Sequence, residues 1–277
     1  MAKADSDPEN LNSESKRLSP GSLSGRATGR DYAGSGADTD RRSEISRGIV
    51  LSLIESDEWL ADQRKIYLGN NCPEQISRPV YAFLMRLAAN MSKSERQRLW
   101  PFANRLGEPS PDRRHAIYSQ QAYRFADWAV RELLPLAAST STADIDGLEK
   151  IAALRPIVDR ASAISAANAA ISLSNCPGSL FAVAATGAEI CSAARLSPEP
   201  SDPGDGLRVD SGARAGLRAE SSARAAIRAS VFALSCGVDQ EVLLAMQLSL
   251  LDQFCPLPLQ LPSRSLGPKL ANCSISK

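Results

Sequence analysis

Between Ser110 and Pro135 the chain reads SPDRRHAIYSQQAYRFADWAVRELLP, a stretch that leaves little choice of conformation. Ser110 offers a side-chain acceptor to the first unpaired amides, Pro111 suits the first helical position, and Asp112 stands where the helix dipole favours a carboxylate. At about 100° per residue, Ile117, Tyr118, Ala122, Phe125, Trp128, Ala129 and Leu133 fall within roughly 160° of one another, an apolar face wide enough for more than one neighbour. Arg124, Asp127 and Arg131 lie outside it. The pattern predicts an amphipathic helix, ended by Pro135, whose Tyr118, Phe125, Trp128 and Leu133 seed a core.

The remaining chain punctuates into further helices. Residues 1–42 are Ser, Gly, Asp and Arg with almost no apolar periodicity, the pattern of a disordered tail; Arg17, Arg26, Arg30, Arg41 and Arg42 are interleaved with acids, which favours a solvated leader over a nucleic-acid arm. From Ser43 the spacing of Ile45, Ile49, Val50, Leu53 and Ile54, then Trp59, Leu60 and Ile66, predicts one kinked helix or two short ones, broken at Gly69-Asn70-Asn71. Ser77 and Pro79 open a helix over Val80, Phe83, Leu84 and Leu87. Ser92 and Glu95 have capping-box spacing, and Pro101 should kink the helix that follows before Gly107 ends it.

After Pro135, the Ser-Thr run at 139–142 should cap a helix over Ile145, Leu148, Ile151, Ala152 and Leu154, interrupted by Pro156. Ala- and Ser-rich segments at 157–173 and 179–196 flank a turn at Asn175-Cys176-Pro177-Gly178. The stretch 197–212, with three Pro and three Gly, predicts a mobile loop. Helix resumes near Ala213 and reaches Gly237 as C-cap, and Val238–Phe254 forms a largely buried helix. Prolines from Pro256 onward make 256–277 a non-helical tail. No segment shows period-two alternation.

Composition narrows the function classes. Lysine and arginine number 32 against 31 acids, net +1, so any attraction to nucleic acid or an anionic membrane must be local. Aromatics are 5% of residues, and a core of Ala and Leu suits closely approaching helices. The polar N-terminus lacks a signal-peptide apolar region and no run reaches a membrane span, which points to the cytoplasm. Six cysteines without a C-x-x-C pair, and one histidine, argue against zinc and for reduced, buried thiols.

Residues that could carry chemistry are few. Phosphate-loop, dinucleotide, nucleophile-elbow and H-E-x-x-H motifs are missing, so no catalytic, cofactor-binding or metal-binding residue is assigned. His115, beside Arg113 and Arg114, reads as a half-exposed helix residue rather than a base. Asp127, three residues after Arg124 and four before Arg131, reads as the centre of an exposed ion-pair ladder. Arg214, Arg218, Arg224 and Arg228 fall within roughly 120° on a helix and could meet a row of phosphates. Ile227, Val231 and Leu234 form an apolar face beside them, so arginine stems packed along a seam are the simpler reading. Trp59, Trp100 and Trp128 suit a core better than a ligand cage.

The stretch from Cys72-Pro73 through RLAANMSKSERQRLWPFANRLGEP to AYRFADWAVRELLPLA resembles a family of uncharacterised bacterial alanine-rich helical proteins. The matching positions are Cys72, Pro73, Arg86, Leu87, Asn90, Arg96, Leu99, Arg105, Leu106, Gly107 and the Ala126–Arg131 run, about a quarter of the chain. The resemblance implies an all-helical fold and no particular activity.

Together these features predict an all-α protein, an antiparallel bundle or array of roughly seven to nine helices in one domain over 43–255. The functional expectation is a non-enzymatic interaction or scaffold protein that binds another protein or itself, with a nucleic-acid-associated regulator using Arg214, Arg218, Arg224 and Arg228 as the alternative. Neither a cofactor nor a membrane is expected.

Overall fold

A computed structural model of the chain describes residues 35–55, 76–103, 105–107, 109–140, 147–173, 176, 178–196 and 208–255. The predictions for the leader before Ser35, for Trp59 and the Gly69-Asn71 break, for the cap at 141–146, for Asn175 and Pro177, for 197–207 and for the tail from Pro256 fall outside the described residues. Every regular element among the described residues is helical. Helix α1 spans Ser35–Glu55, α2 Arg78–Ala89 and the single turn α3 Lys93–Arg96, which runs into a 3₁₀ turn at Gln97–Phe102. Helix α4 covers Pro111–Asp127, continues through a π-helical stretch at Trp128–Leu133 and returns to α geometry as α5, Leu134–Ser139. Then come α6 (Leu148–Ala152), α7 (Arg160–Ser172), α8 (Gly178–Arg195), α9 (Arg208–Ser235) and α10 (Gln240–Phe254). No described helix is long and apolar enough to cross a membrane.

Several ends are set by the local chemistry the sequence advertises. Ser92 Oγ accepts from the Glu95 amide at 3.3 Å while Glu95 accepts from the Ser92 amide at 2.6 Å. Hydrogen bonding to its carboxyl, first from the Ser92 hydroxyl and then from the Ser92 amide, holds Glu95 below its usual range. Asp159 and Ser162 make the equivalent box at α7, and Asp239 accepts from the Glu241 and Val242 amides to start α10. Gly237, at φ 95°, ends α9 with the Val238 amide reaching the Ala233 carbonyl at 3.2 Å, a left-handed C-cap open to glycine.

Other ends differ from the sequence reading. Ser110 and Ser77 stand at N-cap positions but cap nothing with their side chains; the Ser77 hydroxyl donates instead to Gln121 Oε1 at 3.4 Å. Pro101 does not kink an α-helix. The chain tightens into 3₁₀ geometry from Gln97, whose i→i+3 bonding avoids the clash between a proline ring and the carbonyl four residues back. Nor does Pro135 end the long helix. The Leu134 amide bonds the Ala129 carbonyl five residues back, and the α register restarts at Leu134 beside Pro135, so the wider π turn carries the helix past a residue that has no backbone N–H to donate. Helix α6 is shorter than its apolar pattern, with Gly147 at φ 97° standing before Leu148.

Two helices start early. Helix α1 begins at Ser35, inside the predicted tail, and α9 at Arg208, inside the predicted loop. Once a helix is nucleated each further residue adds a backbone bond, so it can run past its apolar repeat.

The architecture is organised by α9, which packs against α2, α4 and α8. Its inward face is made of small residues: Ala215, Gly216, Ala219, Ser222, Ala223, Ala226, Ala229, Ser230 and Ala233 are all buried. Their size allows close approach. A Cβ placed on Gly216 would stand 3.0 Å from the Tyr118 ring and one on Gly212 3.9 Å from Arg114 Cδ, while at the far end a Cβ on Gly237 would stand 4.0 Å from Thr140. These three pairings advance together in sequence, so α9 runs parallel to the α4–α5 rod. The link between them includes the whole α7–α8 hairpin, so the expectation of antiparallel packing through short loops does not extend to this pair. Helix α8 lies the other way, with Gly187 against Val130 and Cys191 within electrostatic reach of Asp127.

The large side chains come from the rod. Tyr118, Phe125, Trp128 and Leu133 are each at most 2% exposed. Phe125 stacks at 5.4 Å on Phe83 of α2 and at 4.6 Å on Phe254 of α10, so one ring ties three helices together. Hydrogen bonds from Arg98 to Glu241 and from Arg105 to Asp252, each 2.7 Å, clamp α10 against the segment after α3. Arg96 is buried and gives its Nη1 to the Leu53 carbonyl at 3.0 Å, satisfying an acceptor near the end of α1.

Candidate functional site

The four arginines singled out by sequence all lie on α9, and its burial pattern shows which way they face. Ala213, Arg214, Leu217, Ser221, Arg228, Val231, Leu234 and Ser235 are exposed, with Glu220 and Arg224 half-buried along the same strip. The arginine side is therefore the outward side of the helix around which the fold is built. Arg218 sits at its edge, half-buried, near His115 of α4.

The guanidiniums are not presented as a bare row. Arg224 donates to Glu220 one turn earlier, and Arg228 donates to Glu189 of α8. Glu220 also pairs with Arg78 Nε at 3.6 Å. Two carboxylates thus hold the middle of the strip, fixing the guanidinium directions while reducing the field that a phosphate would feel. The apolar face drawn through Ile227, Val231 and Leu234 is split by the fold: Ile227 is buried, whereas Val231 is 44% and Leu234 39% exposed. Leu217, at 53% exposed, joins the latter two.

Sequence reasoning missed the strip as a unit. Its outward positions are Leu217, Ser221, Arg224, Arg228, Val231 and Ser235, spaced four, three, four, three and four apart. That is the seam spacing of a two-helix coiled coil, about 27 Å long at 1.5 Å per residue. The spacing is present in the sequence, but arginine and serine at seam positions hide it from a count of apolar residues.

Other sequence candidates resolve differently. Asp127 is buried, not the centre of an exposed ladder. Arg131 Nη1 donates to both its oxygens at 3.0 and 3.1 Å, and the Ile157 amide donates at 2.8 Å from the extended segment before α7. Arg124 points to solvent. The carboxylate therefore anchors a connecting segment to the rod, and the Cys191 thiol beside it is pushed up to about 12, first by burial and then by the Asp127 charge. His115 has its Nε2 buried without a hydrogen-bond partner. Burial lowers its pKa, helped by Arg218 of α9 rather than by its sequence neighbours. Trp128 is in the core, but Trp100 is 45% exposed, set outward by the 3₁₀ turn around Pro101. Trp59 lies outside the described residues. No group of three metal-ligating side chains gathers among the described residues. Comparison of the chain with family models, curated proteins and solved structures gave no match in any of the three.

Proposed function

We propose that this chain is a non-enzymatic helical interaction protein and that the outward strip of α9 is its docking surface. The observation that carries the reading is the exposure of Leu217, Val231 and Leu234 on the helix that contacts most of the fold. Fully burying a side chain of this kind is worth about 1.5–3 kcal/mol relative to leaving it in water. A helix that leaves three of them in solvent gains by having them covered. Other exposed large apolar residues, such as Val158, Ile171, Phe181 and Val242, are distributed over separate elements. A cytoplasmic setting belongs to the same reading, supported by the thiols of Cys191, Cys236 and Cys255.

The test is chemical cross-linking in cells of the full chain against Leu217→Asp/Val231→Asp, both substitutions at exposed positions. The reading expects specific adducts, with this chain or another, that disappear in the double variant while its helical circular dichroism and Tm stay unchanged. Unchanged adducts would remove the strip from consideration. The alternative, a nucleic-acid-associated regulator using Arg214, Arg218, Arg224 and Arg228, is favoured by the outward placement of the strip and weakened by Glu220 and Glu189 within it. It expects duplex binding that falls steeply with salt and is lost when all four arginines become alanine.

A further inference from the structure

We infer that His115 is an acid-sensitive latch on the first half of α9, independent of the docking strip: when its ring takes a second proton, residues 208–222 leave α4 while the rest of the helix stays docked. Arg114 of α4 lies against Gly212 of α9 and Tyr118 against Gly216, so His115 stands between two points at which these helices come close. Its Nε2 is buried there and meets no hydrogen-bond partner. A neutral ring can leave that nitrogen without a proton, whereas an imidazolium carries an N–H on both nitrogens. The second N–H would then be a buried donor with nothing to bond.

The charges around the ring oppose the proton as well. At this end of the seam stand Arg113 and Arg114 of α4 and Arg214 and Arg218 of α9, while Arg195 in the last turn of α8 is exposed. Burial lowers the His115 pKa first and the Arg218 charge second. Glu220, two residues beyond Arg218, is engaged by Arg78 and Arg224.

The first half of α9 is also held by less than the second. Its buried residues from 212 to 222 are Gly212, Ala215, Gly216, Ala219 and Ser222, which cover little apolar area, and the two glycines weaken the helix itself. Farther along, Ile227 is buried and Phe232 packs against the core. A segment with few large buried side chains opens at lower cost. Once it is open the ring titrates near its ordinary value of about 6.5, and in the closed seam it titrates lower. Opening therefore takes up a proton and is favoured as pH falls below about 6.5.

The test is hydrogen–deuterium exchange of the full chain at about pH 7.5 and about pH 5.5, on either side of the ordinary histidine value. Each rate is divided by that of an unstructured chain at the same pH. The latch predicts that protection over 208–222 falls about threefold or more at the lower pH while protection over 223–235 holds. His115→Gln should abolish the fall, and Arg218→Gln, which removes the opposing charge, should reduce it. The two segments of the wild-type chain are compared with each other, so a variant that fails to fold does not spoil the test. No fall over 208–222, or an equal fall in both segments, overturns the latch. A fall that persists in His115→Gln also overturns it and assigns the acid sensitivity to carboxylates.

Discussion

The two long rods of this fold, α4–α5 and α9, run side by side in the same direction yet make opposite contributions to the contact. The rod from Pro111 to Ser139 supplies volume: Tyr118, Phe125, Trp128 and Leu133 fill the space around it. Helix α9 supplies proximity, with an inward face of alanine, serine and glycine. Large against small is how close-packed helices interlock at ordinary interior density. The consequence is that the rods should fail differently, one by loss of atoms and the other by their addition.

The largest effect is expected from emptying the rod. Phe125→Ala removes the ring shared with Phe83 and Phe254 and should lower stability by about 3–5 kcal/mol in chemical denaturation; a loss under 1 kcal/mol would mean the three-ring junction is not a keystone. Filling α9 comes next. Gly216→Val puts new atoms within 3.0–3.2 Å of the Tyr118 ring and should cost about 1–3 kcal/mol. Gly48→Ala, where an added Cβ meets nothing within 4 Å, should instead gain about 0.5–1 kcal/mol from helix propensity.

Smaller still is Ser222→Ala. The hydroxyl is buried in α9 with no hydrogen-bond partner, so its removal should be neutral or stabilising by up to about 1 kcal/mol. A loss above that would show the hydroxyl to be engaged.

The smallest effect tests the seam between the rods by pH. His115 is held neutral by burial and by Arg218, so its folded pKa lies below the ordinary value near 6.5. The unfolded chain then binds the extra proton first, and stability should fall as pH drops from about 6.5 toward the lower folded value, levelling off below it. His115→Gln should flatten that part of the wild-type profile; an unchanged slope would assign it to carboxylates.

How much of this was legible in the sequence follows the same division. The rod's face was readable because Tyr118, Phe125, Trp128 and Leu133 are large and periodic, and the capping residues Ser92, Glu95 and Gly237 carry their own geometry. Helix α9's inward face was not, because alanine, serine and glycine give no hydropathy contrast, and Gly212 imitates a loop when it is a point of approach. Asp127 was misplaced for a related reason. Spacing along one helix reveals Arg131, but not the Ile157 amide arriving from thirty residues away. The candidate strip was half visible, its arginines by charge and Val231 with Leu234 by their apolar spacing, but Leu217 only once the fold had turned it outward.

The parallel setting of the two rods also carries a consequence in time. Tyr118 and Gly216 meet across roughly a hundred positions of chain, so their contact closes a long loop. During synthesis the rod leaves the ribosome well before α9 exists, and Tyr118 has no glycine groove to enter. Folding rate should therefore depend more on capture of α9 by the waiting hairpin and rod than on how fast any helix winds. A chain halted before Arg208 should stay loosely packed, held in readiness for the helix that completes it.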